Sequence, residues 1–276
     1  MKALTTRNPN LVFFALAFLF TWLILGPGVV TNLGLVDFRF DGTVVTILGG
    51  LGPFLAALTV TGITEGREGV IKIFRNIFSL KAKVRWWAAS VLLLAGLFAL
   101  AAGSGGLAGM PGPDPAAGVY LGGGHLLAVI ALLLSGSFAE EVGWRGFALP
   151  RLQRQYKPMR ATVILTLVWW LWHLPSYWTL PLAMEAVQQF GFVPAFGIQF
   201  IVLLALGTLC AWVYNGSGGK VIMPVLLHAG WNFWSGAFGQ DAAMFLLPLF
   251  LVTAIIVGLV TKGRLGFIAD EKSGMP

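Results

Sequence analysis

Six polar side chains in three apolar stretches of this chain could together perform acid–base chemistry. They are Glu140, Glu141, Arg145, His173, His228 and Asn232. Ionisable side chains are costly inside a bilayer, so in apolar segments they usually face a protein interior or a wet cavity and mark a functional site. A carboxylate with two imidazoles can activate water for hydrolysis, with or without a metal ion. The pattern therefore favours an enzyme that works in an apolar environment.

The two neighbouring glutamates must have different roles if they lie on a helix. Their side chains then point about 100° apart and cannot face the same spot equally. Arg145 follows Glu141 by four residues, the order that favours an ion pair along one helix face. The spacing predicts a Glu141–Arg145 pair and leaves Glu140 as the carboxylate free for chemistry. The alternative is a helix end capped at the membrane surface, because Ser137 and Glu140 have the spacing of a capping box.

A histidine beside a tryptophan marks the second stretch. Trp169 precedes His173 by four residues, so both side chains share a helix face and the indole can form a cavity wall beside the imidazole. Pro175 removes a backbone donor and favours a kink that opens space there. The alternative is a histidine that only bonds between helices.

The third stretch offers two hydrogen-bond donors on one face. His228 and Asn232 are four residues apart, and both can donate to a single oxygen, as an oxyanion hole requires. The alternative is helix–helix adhesion, which both residue types serve in membranes. Three helices that together supply a carboxylate, two imidazoles and an amide favour one shared site.

The composition excludes an ordinary soluble protein. Hydrophobic residues make up 57% of the 276 residues and charged residues only 11%, and the mean hydropathy is +0.83. Apolar runs of about 20 residues match a helix that crosses a bilayer of about 30 Å. They predict an all-α, polytopic membrane protein with a single domain over residues 1–276 and about eight transmembrane helices. The predicted spans are 10–30, 43–63, 86–103, 123–144, 160–178, 196–214, 220–236 and 243–261.

Lysine and arginine alternate between the connectors and predict the orientation of the chain. Connectors 64–85 and 145–159 contain several basic residues, whereas 104–122 and 179–195 contain none. With an even number of helices, this bias places both termini in the cytoplasm. It also explains the net charge of +7 without a nucleic-acid partner. Residues 70–78 have an apolar face and a basic face, which predicts an interfacial helix on the cytoplasmic leaflet.

The order and spacing of the polar residues resemble the three motifs of the CAAX protease and bacteriocin-processing family. This family includes the Rce1-type prenyl endopeptidases and the Abi proteins. The motifs here are Glu140-Glu141-x-x-x-Arg145, Trp169-x-x-x-His173 and His228-x-x-x-Asn232. The resemblance covers about residues 120–240. Trp169 stands where the family often has phenylalanine, and we expect this exchange of aromatic rings to be tolerated.

The resemblance implies an intramembrane endopeptidase whose catalytic core lies at about residues 120–240. In this family Glu140 with His173 would activate the attacking water. His228 with Asn232 would stabilise the oxyanion. The remaining motif residues would support the geometry; they are Glu141, Arg145 and Trp169.

Cofactor and substrate are less closely defined by the resemblance. Family members have been described both as metalloproteases and as glutamate-dependent enzymes. The expected cofactor is therefore either none or a zinc ion bound by His173, His228 and Glu140. We favour the glutamate mechanism, because His228 paired with Asn232 suits an oxyanion hole better than a zinc shell.

The expected partners are the lipid bilayer and a prenylated CAAX-type peptide or another membrane-associated peptide. The short connectors favour a prokaryotic plasma membrane, and the basic ends favour a cavity that opens to the cytoplasm. Two alternatives keep the same polar residues without proteolysis. One is a small transporter that binds an ion, and the other is a non-catalytic membrane scaffold.

Overall fold

The described part of the chain is entirely helical in its regular elements. The computed structural model describes residues 2–37, 42–107, 133–238 and 243–267. The helices are α1 (Lys2–Arg7), α2 (Pro9–Asn32), α3 (Gly42–Gly50), α4 (Gly52–Ile77), α5 (Val84–Leu107), α6 (residues 133–153), α7 (Pro158–Trp172), α8 (Pro181–Phe190), α9 (Phe192–Gly216), α10 (Ile222–Phe238) and α11 (Ala243–Val260). The all-α prediction is confirmed for these residues.

Four helical segments of the described residues are long and apolar enough to cross a membrane. They are Pro9–Asn32, Ile47–Ile77, Val84–Leu107 and Phe192–Gly216. A shorter apolar helix covers Leu246–Val260. These lengths fit a hydrocarbon core of about 30 Å and support an integral membrane protein. The count of eight spans and the cytoplasmic position of both termini stay predictions.

Helix α6 extends beyond the predicted fourth span, 123–144. It continues to Gln153 and contains two wide π turns, over Leu133–Phe138 and Val142–Ala148. Such turns are frequent at functional sites, because they redirect side chains within a helix. The start of the predicted span, residues 123–132, lies outside the described residues.

The helix does not end at residue 144, where the predicted span ends, and Arg145 is not a surface charge. Its guanidinium pairs with Glu141 and lies over the ring of Trp169, so the charge is satisfied inside the protein. The capping-box alternative is also wrong. Ser137 lies within the continuous helix and not at its start, and Glu140 lies well before its end.

The region after α7 also differs from the predicted span 160–178. Helix α7 ends immediately before His173, and a short 3₁₀ turn follows over Leu174–Trp178. Pro175 therefore lies beyond the end of the α-helix and does not kink it. Helix α8 occupies part of the segment 179–195, which was expected to be a connector.

Helix α4 is broken at Gly66, where φ is 67°. Glycine adopts this left-handed conformation without the steric strain of other residues. The part of α4 after the break contains the helix predicted at 70–78, although it ends at Ile77. Ile71 and Phe74 in this part are exposed, whereas Ile77 is buried, and the position of this part at a membrane interface stays a prediction.

Glycines allow α6 to approach its neighbours closely. A Cβ atom on Gly143 would lie 2.6 Å from Cβ of Pro53, at the contact with α4. A Cβ atom on Gly207 of α9 would lie 2.6 Å from Oγ1 of Thr166 and 3.5 Å from Nη2 of Arg145. Gly207 thus leaves room for the arginine, and Gly143 lets α6 pack closely against α4.

Candidate active site

The four residues predicted to perform chemistry line one cavity of about 240 Å³, here called the site cavity. Glu140 comes from α6, His173 from the end of α7, and His228 and Asn232 from α10. Glu140 and His228 are only 7% and 5% exposed. The remaining lining residues come mostly from α2, α3 and the segment after α7, and they are Thr21, Leu25, Gly49, Gly50, Gly136, Trp172, Ser176 and Leu180.

The predicted ion pair between Glu141 and Arg145 is confirmed. Arg145 Nη1 donates to Glu141 Oε1 at 2.6 Å, and both side chains are fully buried. The same carboxylate oxygen lies 2.9 Å from His228 Nδ1. Glu141 Oε2 has no hydrogen-bond partner. Glu141 therefore links α6 to the imidazole on α10, and it does not line the site cavity as Glu140 does.

Trp169 contributes more than a cavity wall. Its Nε1 donates to Glu140 Oε2 at 2.6 Å, and the Arg145 guanidinium lies 4.5 Å from its ring centroid. The ring also meets that of His228 edge-on, with centroids 5.4 Å apart. Phenylalanine could not donate the bond to Glu140, because it has no N–H group. The indole N–H thus orients the Glu140 carboxylate, a role that the sequence analysis did not predict for Trp169.

Hydrogen bonds at the two histidines assign the ring nitrogen that is left for chemistry. His173 Nδ1 lies 2.8 Å from the carbonyl oxygen of Trp169, which can only accept, so Nδ1 carries the proton. His228 Nδ1 faces the Glu141 carboxylate and carries a proton for the same reason. In both rings Nε2 is left, as an acceptor when the ring is neutral and as a donor when it is protonated.

Two supporting contacts were not apparent in the sequence. Asn232 Nδ2 donates to Ser137 Oγ at 3.2 Å, which uses one of the two amide hydrogens. Trp172 Nε1 donates to Thr21 Oγ1 at 2.9 Å, and that hydroxyl donates to the Gly49 carbonyl at 2.7 Å. Thr21 and Trp172 are 151 positions apart, so no local pattern could predict their contact. They tie α2 and α3 to the site cavity.

The zinc alternative requires His173, His228 and Glu140 to converge on one point. Among the described residues, no group of three or more His, Cys, Asp or Glu side chains is placed to hold a metal ion. These donors therefore do not fit a metal site, and no step proposed below passes through a metal.

Comparisons with known proteins match this chain to one family and to one curated relative. Residues 122–234 match the family described as Type II CAAX prenyl endopeptidase Rce1-like. Over 135 residues the chain is 30% identical to CAAX prenyl protease 2 of Methanococcus maripaludis, which is 47% of this chain and 48% of the relative. The chain thus spans about half the length of this curated relative. The range 122–234, which matches the family, contains all the site residues from Glu140 to Asn232.

Proposed function

We propose that this chain is an intramembrane endopeptidase of the Rce1-like type, because residues 122–234 match the family described as Type II CAAX prenyl endopeptidase Rce1-like. One observation carries the proposal. A carboxylate, two imidazoles and an amide from three helical segments line a single cavity. Peptide hydrolysis needs a base for the attacking water and donors for the oxyanion, and these groups can supply both.

In the first step Glu140 accepts a proton from water, assisted by His173 Nε2. One oxygen of Glu140 accepts the bond from Trp169, so the other oxygen is left for the water. The water oxygen attacks the carbonyl carbon of the scissile bond, and the carbonyl electron pair moves onto its oxygen. Positioned general bases typically accelerate such steps about 10²- to 10⁴-fold.

In the second step His228 and Asn232 stabilise the oxyanion. The second amide hydrogen of Asn232 and Nε2–H of His228 donate to it. Because Nδ1 of His228 already bonds Glu141, donation from Nε2 as well requires the imidazolium form of the ring, which carries a proton on each nitrogen. The tetrahedral intermediate then collapses, the C–N bond breaks, and the proton held by Glu140 passes to the leaving amine.

The proposed substrate is a prenylated CAAX-type peptide, with other membrane-associated peptides as the broader class. The family description and the relative's name support this substrate. The cavity lining is mixed in a way that fits a lipid-modified peptide. Apolar Leu25, Trp172 and Leu180 lie beside the polar residues.

Cleavage of a farnesylated CAAX reporter by the full chain, purified in detergent, tests the proposal. The matched control is the same peptide without the farnesyl group, and mass spectrometry locates the cut. We expect cleavage after the prenylated cysteine that is unaffected by a chelator. Loss of cleavage with chelator would contradict the glutamate mechanism. If neither peptide is cut, the proposal fails for this substrate class, and an ion-flux assay then tests the transporter alternative.

The proposed opening of the cavity to the cytoplasm needs its own test. Leu25 lines the cavity but lies about 24 Å along α2 from its first residue. If the basic connectors are cytoplasmic, a cytoplasmic opening must therefore reach deep into the membrane. The test is labelling of Leu25→Cys and Leu180→Cys with an impermeant maleimide, because the native Cys210 is buried. Labelling only in inverted vesicles supports the proposal, and labelling in intact cells contradicts it.

A further inference from the structure

A second cavity, of about 940 Å³, lies where the start of α5 meets the ends of α6 and α9; it is called the basic cavity here. Three exposed cations line it, and they are Lys81, Lys83 and Arg85. None of the described residues that line it is acidic. The site cavity has a different lining, so the two cavities are separate features.

Three buried N–H donors on residues that line the basic cavity have no hydrogen-bond partner. They are Trp86 Nε1, Gln153 Nε2 and Asn215 Nδ2, on residues that are 7%, 9% and 8% exposed. Buried polar groups are nearly always bonded, so three unpartnered donors in one cavity call for an explanation. An indole N–H can only donate. The missing partner must therefore be an acceptor.

Backbone dipoles add to the positive field. Helix α5 begins at this cavity with no acidic residue in its first turn, so the partial positive charge of its N-terminus is not neutralised there. The carbonyls at the end of α9 would repel an anion. However, the backbone N–H groups of residues 217–219 already donate to them, in a turn that positive φ at Gly218 and Gly219 permits.

In a neighbouring groove of the same protein, a basic side chain is paired with an acidic one. This groove, of about 330 Å³, is lined by Arg151 and Glu65 among others. Arg151 Nη2 donates to Glu65 Oε1 at 2.6 Å, so an acidic residue of the chain already accepts from this cation. The basic cavity has no acidic side chain among its described lining residues.

We propose that the basic cavity binds a phosphate-type anion. Cations, unpartnered donors and a helix N-terminus converge there, and phosphate oxygens accept from all three. Large apolar side chains are exposed close by in sequence. Phe78, Leu80 and Val84 are 73%, 62% and 82% exposed, and acyl chains could cover them. The phosphate of a membrane lipid is therefore the favoured source, and free phosphate is the other source.

Thermal unfolding of the full chain in detergent, at increasing ligand concentration, measures this binding. The three probes are short-chain phosphatidylglycerol, diacylglycerol with the same chains, and inorganic phosphate. We expect phosphatidylglycerol to raise the unfolding temperature and diacylglycerol to leave it unchanged. Equal stabilisation by inorganic phosphate would assign the site to free phosphate. Stabilisation by neither phosphate compound, or equally by diacylglycerol, would overturn the proposal.

Substitutions tie this binding to the cavity. Trp86→Phe removes one donor and keeps an aromatic ring, and Gln153→Leu is the second variant if the first does not fold. Each should weaken phosphatidylglycerol binding roughly tenfold or more, as expected for a hydrogen bond to a charged group. Lys81→Gln with Lys83→Gln should weaken it further. The control is a double variant with the same charge change on α4, Arg67→Gln and Arg75→Gln. Equal weakening by this control would reduce the effect to net charge and overturn the proposal.

Discussion

The site cavity and the basic cavity differ in how many of their buried polar groups have hydrogen-bond partners within the protein. Around the site cavity the protein itself binds both carboxylates, since Trp169 donates to Glu140, and Arg145 and His228 bond Glu141 at 2.6 and 2.9 Å. In the basic cavity three N–H donors have no partner within the protein. In the first region one buried acceptor, Glu141 Oε2, has no partner, whereas in the second region three donors have none.

This difference matches what the two kinds of site require. A catalytic site stabilises a transition state best when its groups are already oriented, so that little reorganisation occurs during the reaction. A binding site can leave donors for its ligand to satisfy. Substitutions at the site cavity should therefore change rates and stability, whereas substitutions at the basic cavity should change ligand affinity.

The largest effect is expected from Glu140→Gln. Glutamine keeps the shape and the oxygen that accepts from Trp169, but it cannot take a proton from water. We expect the rate of cleavage to fall about 10²- to 10⁴-fold, with the unfolding temperature nearly unchanged. The measurement is the single-turnover rate with the farnesylated reporter. A rate within tenfold of the native protein would show that another group is the base.

Glu141→Ala should act mainly on stability. It leaves the buried Arg145 without its counter-ion, and breaking a buried pair typically costs about 3–5 kcal/mol. The measurement is the midpoint of thermal unfolding in detergent. The matched control is Glu65→Ala, which breaks the more exposed pair with Arg151 and should cost no more than about 1 kcal/mol. Equal loss in both variants would contradict the distinction between the two pairs.

Asn232→Ala should reduce the rate without abolishing it. Loss of one oxyanion donor typically costs about 10²- to 10³-fold in kcat. Ser137→Ala removes only the hydroxyl that positions the amide, so its effect should be smaller. Steady-state kinetics of both variants check this order. An Asn232→Ala enzyme with native kcat would remove the amide from the mechanism.

Trp169→Phe should have the smallest effect of the four. It deletes one hydrogen bond to Glu140, and we expect kcat to fall roughly tenfold or more. Trp170→Phe is the control, since its indole donates to the Phe196 carbonyl instead. If the two variants behave alike, the bond to Glu140 has no special role, and the expected tolerance of phenylalanine would be supported.

Local spacing predicted the parts of the site that lie on one helix face. Residues four apart meet on a helix, so the Glu141–Arg145 pair followed from the sequence. The end of α6 could not be predicted in this way, because the sequence alone does not distinguish a buried arginine from an exposed one. The bond from Trp169 to Glu140 joins two helices and depends on their packing.

For the fold too, local features were predictable from the sequence and long-range contacts were not. Apolar runs located α2, α5 and α9, because helix length and hydropathy are local properties. Helix α8 was missed, since none of its residues is buried and its sequence is less apolar. The contact of Thr21 with Trp172 was also missed, because it joins distant parts of the chain.

In the proposed mechanism four side chains converge on one peptide bond. The most direct test is an experimental structure of the Glu140→Gln variant with an uncleaved farnesylated CAAX peptide. We expect the scissile carbonyl oxygen to lie about 2.7–3.1 Å from His228 Nε2 and Asn232 Nδ2, with the carbonyl carbon facing residue 140. A peptide bound elsewhere, or with its scissile bond turned away from these groups, would contradict it.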